Sequence, residues 1–211
     1  MELIAFFWDV VVHLDKHLAA LLAQYGVWVY AILFVIIFCE TGLVVTPFLP
    51  GDSLLFVAGA LAAAGGMEVT TLIATLIAAA VLGNSSNYSI GRYLGPKVFQ
   101  WEDSRFFNKK ALASAHAFYE RHGGKTIVIS RFLPILRTFA PFVAGIGQMP
   151  LVRFQAFNIA GGVLWVVTLT LAGFWFGNLP VVKDNLTLVI LFIVTVSVMP
   201  AVVGYLKHRA N

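Results

Sequence analysis

The chain has 211 residues, of which 60% are hydrophobic, 14% aromatic and only 11% charged. Soluble domains carry about 25% charged residues, so this composition excludes an ordinary cytosolic globular protein and predicts a single polytopic membrane unit. The one cysteine excludes an internal disulfide, and Cys/His pairs at zinc spacing are absent from the sequence, so neither a metal nor another cofactor is expected.

Residues 1–25 are predicted to form an amphipathic helix in the membrane interface. Polar residues recur there at steps of three to four, while leucines and phenylalanines occupy the other face. The alternative is a frayed first transmembrane helix. Glu2 and Asp9 stand where the basic region of a cleavable signal would be, so no cleaved leader is expected.

Residues 26–66 are apolar but interrupted. The interruption contains Glu40, Pro47, Pro50, Gly51 and Asp52. A spanning helix needs about 20 uninterrupted apolar residues, and neither arm reaches that length. We therefore predict a re-entrant hairpin, because broken backbone at membrane depth must be buried in protein or line a wet cavity.

A first full span is predicted at residues 67–95, followed by a basic loop at residues 96–124 that contains a second interfacial helix. Residues 92–125 and the C-terminus together hold nine of the 14 Lys and Arg residues. Basic residues placed between apolar runs follow the positive-inside rule, which assigns the loop and the C-terminus to the cytoplasm. Because the basic residues are not set among stacking aromatics, no nucleic-acid partner is expected.

Residues 125–150 repeat the interrupted design with positive charge. The charges and breaks in this segment are Arg131, Pro134, Arg137, Pro141 and Gly145. A second re-entrant hairpin is therefore predicted, followed by full spans at residues 153–178 and 186–206.

The two halves of the chain share one order of elements: an amphipathic helix, a broken hairpin and a long span. The long spans end in glycines four residues apart, Gly91/Gly95 and Gly173/Gly177, which predict close helix packing within the monomer. With the basic loop in the cytoplasm, the hairpins enter from opposite faces, as in the inverted repeats of transporters. The predicted fold is an all-α integral membrane protein, an inverted repeat with two facing re-entrant helical hairpins, two interfacial amphipathic helices and about three full transmembrane helices.

Four ionisable residues stand inside the interrupted segments: Glu40, Asp52, Arg131 and Arg137. Unpaired at the bilayer centre, the set would cost about 10–14 kcal/mol, so these groups must pair, meet water or bind a charged ligand. The arginines are the candidate substrate-binding residues, because guanidinium groups grip phosphate or carboxylate. The carboxyl groups are candidate proton carriers or ion-pair partners. Ion pairs that only pin the hairpins together are the structural alternative.

The first full span carries a second polar group, formed by Asn84, Asn87 and Tyr88. These side chains are expected to hydrogen-bond across helices, and lining of the functional site is the alternative.

Three long motifs closely resemble those of the bacterial DedA proteins, which belong to the wider VTT or SNARE-associated Golgi group. They are ETGLVVTPFLPGDSLL at residues 40–55, GNSSNYSIGRYLG at residues 83–95 and RFLPILRTFAPFVAG at residues 131–145. The resemblance covers nearly the whole chain and implies one membrane domain over residues 1–211, multi-pass in the bacterial plasma (inner) membrane.

The resemblance also implies a transporter linked to membrane homeostasis, proton-motive-force-dependent drug and pH tolerance, and movement of lipids between leaflets. Some members recycle undecaprenyl phosphate, and eukaryotic relatives scramble phospholipids. The family's functional acids and arginines fall on Glu40, Asp52, Arg131 and Arg137. Many relatives have Asp after the motif glycine where this chain has Asn84, which argues against a proton role there.

Three functions compete on these observations. A flippase of an anionic lipid, with undecaprenyl phosphate or phospholipid as substrate and protons as the coupling ion, uses the arginines, the acids and the hairpins together. A proton-coupled transporter of small ions or drugs would use the same acids but would have less need of the two arginines. An intramembrane lipid-phosphate enzyme would need an assembled nucleophile and base, so we expect no enzyme activity. The oligomeric state is not predicted.

Overall fold

The computed structural model describes residues 14–43, 51–100 and 123–183, with a few residues between 185 and 195. Within these ranges every regular element is a helix, which agrees with the predicted all-α class. The helices are α1 (Leu14–Tyr25), α2 (Trp28–Gly42), α3 (Gly51–Ala63), α4 (Val69–Gln100), α5 (Lys125–Ser130), α6 (Pro134–Ile146), α7 (Leu151–Phe176) and α8 (Pro180–Lys183).

Two of these helices are long and apolar enough to cross a membrane: Val69–Gly95, within α4, and the whole of α7. Helix α4 continues to Gln100, beyond the predicted end of the span. Hydropathy marks where an apolar segment ends, whereas backbone hydrogen bonds hold a helix together outside the bilayer as well. Most of the third predicted span lies outside the described residues, and so does the second predicted interfacial helix. Residues 1–13 of the first predicted interfacial helix also lie outside them.

The helices on either side of the two predicted interruptions are short. Helix α2 has 15 residues, and α3 and α6 have 13 each. At 1.5 Å per residue they extend roughly 20–23 Å, less than the roughly 30 Å of hydrocarbon in a bilayer. Each interrupted segment thus consists of helices too short to span.

The described helices divide into two compact units. The first contains the described parts of residues 1–36 and 48–76 together with those from 165 onward. The second contains the described parts of residues 37–47 and 77–164. Helices α2, α4 and α7 each contribute residues to both units.

In the first unit, α3 is buried over most of its length and crosses α7 with almost no separation. A Cβ atom added at Gly59 would overlap the carbonyl oxygen of Thr170, and one at Gly173 would overlap that of Phe56. At Gly177 it would overlap the Cβ of Ala60. The predicted packing role of the second glycine pair is confirmed, because only glycine permits this approach.

Glu68 caps the start of α4 in the first unit. Its carboxylate accepts hydrogen bonds from the backbone N–H of Thr70 at 2.9 Å and of Thr71 at 2.5 Å. These bonds satisfy backbone donors that a helix N-terminus leaves without intrahelical partners. Hydrogen bonds from Thr71, and then from Thr70, lower the pKa of Glu68 from 4.5 to about 2.

In the second unit, the Tyr88 ring of α4 stacks on Phe154 of α7 with 4.2 Å between ring centroids. Its hydroxyl donates to the Met149 carbonyl and accepts from Arg92 Nη1 at 2.8 Å. Helix α6 lies directly against α4, because a Cβ added at Gly91 would overlap the carbonyl oxygen of Phe142. The first predicted glycine pair therefore also packs within the chain.

Candidate functional site

Two of the four predicted ionisable residues form an ion pair in the second unit. The Arg137 guanidinium donates from Nη2 to Oε1 of Glu40 at 2.5 Å. The side chains are 3% and 0% exposed. Charge-assisted hydrogen bonds are short and strong. The attraction between these two charges offsets part of the free energy that their desolvation costs.

The local backbone explains how Arg131 and Arg137 come from two different helices. Arg131 is the C-cap of α5, and Leu133 is extended at φ −122° and ψ 105°. Proline disfavours helical geometry in the residue before it and suits the first position of a helix. Pro134 therefore ends the break and begins α6, which presents Arg137 at the end of its first turn.

Arg131 is fully buried, with 0% exposure, and its partners among the described residues carry no charge. Nη2 donates to Oδ1 of Asn158 at 2.6 Å, and more weakly to the carbonyls of Asn158 at 3.3 Å and Ala80 at 3.4 Å. Nε and Nη1 have no hydrogen-bond partner among the described residues. The guanidinium lies close against Gly161 and Gly162 of α7, where larger side chains would press on it.

The Asn158 side chain connects Arg131 to a small polar network between α4 and α7. Its Nδ2 donates to the carbonyl of Val81 at 3.0 Å, to Ser85 Oγ at 3.2 Å and to Gln155 Oε1 at 3.1 Å. Gln155 Nε2 in turn donates to Ser85 Oγ at 2.9 Å. The network fixes the amide so that its oxygen faces the guanidinium.

Asp52 belongs to the first unit, where it lies in the first turn of α3. Its Oδ1 accepts a hydrogen bond from the indole Nε1 of Trp165 at 2.9 Å. Trp165 is fully buried, so its indole N–H cannot donate to water, and the hydrogen bond to Asp52 satisfies this donor instead. The structure therefore provides a polar partner for Asp52 inside its own unit.

The predicted hairpin breaks have different outcomes. Gly51 and Pro134 begin helices after the interruptions, whereas Pro47 and Pro50 lie outside the described residues. The prediction that Pro141 and Gly145 break the second segment is wrong, because α6 runs through both. Proline removes only one helical hydrogen bond, which membrane helices tolerate.

Gly145 has a different role from the predicted one. A Cβ atom added there would overlap the carbonyl oxygen of Tyr88 and lie 2.7 Å from the backbone nitrogen of Arg92. The glycine is thus a contact residue, which allows α6 to lie against α4.

Asn84, Asn87 and Tyr88 are all buried on α4. Asn87 Nδ2 donates across helices to the carbonyls of Thr41 at 3.2 Å and Thr138 at 2.7 Å, and Tyr88 bonds as described above. Asn84 differs, because neither its Oδ1 nor its Nδ2 has a partner among the described residues.

Sequence reasoning missed Asn158 as the partner of Arg131, Gln155 as the partner of Asn158, and Trp165 as the partner of Asp52. The signal for the first two was present: a polar pair three residues apart lies on one helix face in an otherwise apolar span. Trp165 gave no such signal, because a tryptophan in an apolar span is an ordinary core or interface residue. Clusters of three or more His, Cys, Asp or Glu residues able to hold a metal are absent from the described residues.

Comparisons with known proteins place this chain in a family. A family profile for the VTT domain matches residues 49–175, more than half of the chain. The chain is 54% identical over 211 residues to Protein DedA of Escherichia coli, covering 99% of this chain and 96% of that protein.

More distant relatives extend the comparison. An uncharacterized membrane protein of Mycobacterium leprae is 46% identical over 170 residues, which cover 81% of this chain and 76% of that protein. The inner membrane protein YghB of E. coli is 38% identical over 202 residues, which cover 94% and 91% respectively. No solved structure matches. These relatives and the apolar helices confirm a location in the bacterial inner membrane.

Proposed function

We propose that this chain, which belongs to the DedA family of VTT-domain membrane proteins, moves the anionic headgroup of a lipid between the leaflets of the inner membrane. Undecaprenyl phosphate and phospholipids are the candidate lipids. One observation carries the proposal: Arg131 is fully buried, yet its described partners are all neutral. An anion that binds this guanidinium forms a charge-assisted contact with it. The cost of desolvating the cation has then already been met when the protein folded.

The hydrogen-bond donors of Arg131 favour a phosphate over an anion that offers fewer acceptor oxygens. Its Nε and Nη1 groups remain as donors, and a phosphate offers several oxygens to accept them. A bare phosphate in hydrocarbon is prohibitively costly, so a lipid headgroup needs compensating charge at mid-depth while its tail stays in the bilayer. Helices too short to span, which we take as the arms of re-entrant hairpins, bring such charge there.

The Glu40–Arg137 pair supplies a coupling to protons in this proposal. Protonation of Glu40 would remove the charge that neutralises Arg137, which then becomes a second cation for the incoming phosphate. Loss of the proton would restore the pair and help to release the headgroup. Asp52, held by Trp165, is the second candidate proton carrier. Transport would thus depend on the proton-motive force.

We also propose that the protein transports without catalysing a reaction. Ser130, next to Arg131, donates its hydroxyl to the Ile127 carbonyl at 3.1 Å, and the buried polar residues of the described chain include no histidine. A nucleophilic mechanism needs a base within hydrogen-bond reach of the hydroxyl.

Leaflet exchange in proteoliposomes tests the proposal. Labelled undecaprenyl phosphate and labelled phospholipids are followed with and without a pH gradient, using wild-type protein, Arg131→Ala and Arg131→Lys. We expect exchange of at least one anionic lipid, near-complete loss in Arg131→Ala, and impairment in Arg131→Lys, because lysine keeps the charge but loses the planar group. Arg153→Ala, at an exposed arginine of α7, is the matched control.

Two results would contradict the proposal. One is wild-type exchange by a folded Arg131→Ala protein, which would make the arginine structural. The other is transport of small anions or drugs without any lipid movement, which would favour the proton-coupled small-molecule transporter.

A further inference from the structure

A buried amide lies one helical turn along α4 from Ala80, whose carbonyl contacts Arg131, and the described residues leave the hydrogen-bonding capacity of this amide unused. Asn84 is 1% exposed, and neither of its side-chain polar atoms has a partner among the described residues. Such burial destabilises a folded protein, and native structures almost always avoid it. Unsatisfied buried polar groups that do occur are expected at functional sites.

The position of Asn84 on α4 relates it to both arginines. It follows Ala80, whose carbonyl accepts from Arg131, by one helical turn of about 6 Å on the same face. It precedes Asn87, which is bonded to the carbonyls of Thr41 and Thr138. Thr41 follows Glu40 and Thr138 follows Arg137 in the chain. Along the axis of α4, Asn84 therefore lies between Ala80, which contacts Arg131, and Asn87, which contacts the chain neighbours of the ion pair.

The unused groups along this face define a ligand. Arg131 offers donors at Nε and Nη1, Asn84 offers one donor group and one acceptor, and Asn87 offers a further acceptor at Oδ1. With Glu40 and Arg137 neutralising each other, the face carries a single positive charge. The complementary ligand has one negative charge, several acceptor oxygens and at least one hydrogen-bond donor.

We propose that Arg131 and Asn84 select a phosphate monoester in its singly ionised form, with the Asn84 amide oxygen accepting from its P–OH group. This inference rests on the proposed function and specifies its substrate. The doubly ionised monoester has no donor and carries one excess charge, and a diester has the right charge but no donor. Because both groups are enclosed, the ligand reaches them when the surrounding helices separate.

The second ionisation of a phosphate monoester lies near pH 6, so the proposal predicts binding that weakens above this pH. Protein groups that titrate nearby must be separated from the ligand. Among the side chains that the structure describes, the charged and titratable groups of the second unit on α4 and on the elements that pack against it are Cys39, Glu40, Tyr88, Arg92, Tyr93, Lys125, Arg131, Arg137 and Arg153.

Calorimetric binding to the full-length protein in lipid nanodiscs tests the proposal with three amphiphilic probes. Hexyl phosphate changes from one charge to two between pH 5 and pH 8, whereas hexyl sulfate and dihexyl phosphate carry one charge at both and have no donor. We expect hexyl phosphate to bind about ten-fold more tightly at pH 5 than at pH 8, a difference of about 1.4 kcal/mol. The two control probes report titration of the protein, including any protonation of Glu40 that frees Arg137 for an anion, so the roughly ten-fold preference of hexyl phosphate is counted beyond whatever change the controls show.

Variants on α4 separate recognition from folding. Asn84→Ala should lose the preference for hexyl phosphate over hexyl sulfate at pH 5 and melt at the same temperature as wild type or higher, because it removes an unsatisfied amide. Asn87→Ala breaks two hydrogen bonds and should melt at a lower temperature. Ser89→Ala, at an exposed position on the same helix, should change neither binding nor melting.

The two proposals fail in different ways. Equal affinity for hexyl phosphate and hexyl sulfate at pH 5 in wild type, or an unchanged preference in Asn84→Ala, would overturn the monoester assignment while Arg131→Ala still weakened every probe. Binding of all probes that is indifferent to Arg131→Ala would overturn the proposed function itself.

Discussion

Removal of one partner from the Glu40–Arg137 pair should be far more damaging than removal of both. Glu40→Leu leaves a buried guanidinium without its carboxylate, which we expect to lower the free energy of unfolding by about 3–5 kcal/mol. At 2.5 Å, the direct attraction of the pair is about 6–7 kcal/mol for an effective dielectric constant of about 20. Desolvation costs several kcal/mol for each ion and offsets most of this attraction.

The assay is a double-mutant cycle with Glu40→Leu, Arg137→Met and the double variant. Unfolding in mixed micelles, with dodecyl sulfate as the denaturant and tryptophan fluorescence as the signal, gives each free energy. Because the double variant contains no buried charge at either position, it should be more stable than either single variant, which requires a coupling energy larger than the roughly 3–5 kcal/mol cost of one substitution. Arg153→Met, at an exposed arginine, controls for loss of an arginine as such.

The reasoning is refuted if the effects of the two single substitutions add to within about 0.5 kcal/mol in the double variant. Such additivity would mean that the carboxylate and the guanidinium do not stabilise each other. The proton-coupling step of the proposed function would then lose its physical basis.

Three further predictions follow from other features. Gly145→Ala places a methyl group against the Tyr88 carbonyl and should destabilise the protein by about 1–3 kcal/mol in the same micelle titration. The folded-state pKa of Glu68 is lowered from 4.5 to about 2, so its carboxylate stabilises the protein above about pH 4.5 and loses this effect as the pH falls towards 2; melting temperatures of wild type and Glu68→Gln should therefore converge over that interval. Single cysteines at positions 109 and 211, in a Cys39→Ala background, should react with an impermeant reagent only from the cytoplasmic side. A cysteine at position 15 should react only from outside, because the predicted inverted repeat puts the acidic N-terminal interfacial helix on the face opposite the basic loop.

Apolar run lengths and helix breakers were enough to predict the interrupted segments. Pro134 and Gly51 stand at helix starts because proline and glycine act on the local backbone, which sequence reports directly. The role of Pro141 could not be read in this way. A proline inside an apolar segment either ends a helix or is carried through it, and neighbouring helices decide which.

The partners of the charged residues were the least predictable part of the candidate site. Burial cost alone indicated that Glu40, Asp52, Arg131 and Arg137 need compensation. It did not distinguish a carboxylate from an amide as the compensating group, and Arg131 uses Asn158 while Asp52 uses Trp165. Both partners come from α7, so a pairwise search limited to opposite charges would overlook them.

Glycine contacts between α4 and α6 have a mechanical consequence. At Gly91 and Gly145 the two backbones touch without an intervening layer of side chains. A side-chain layer can adopt new rotamers as helices slip past each other, but a carbonyl oxygen seated on a Cα atom cannot. Sliding of α6 along α4 would force backbone atoms together, so these two helices are expected to move as one rigid body. Rotation in that part of the molecule is then left to the non-helical link at residues 131–133, and Arg131 sits on that pivot.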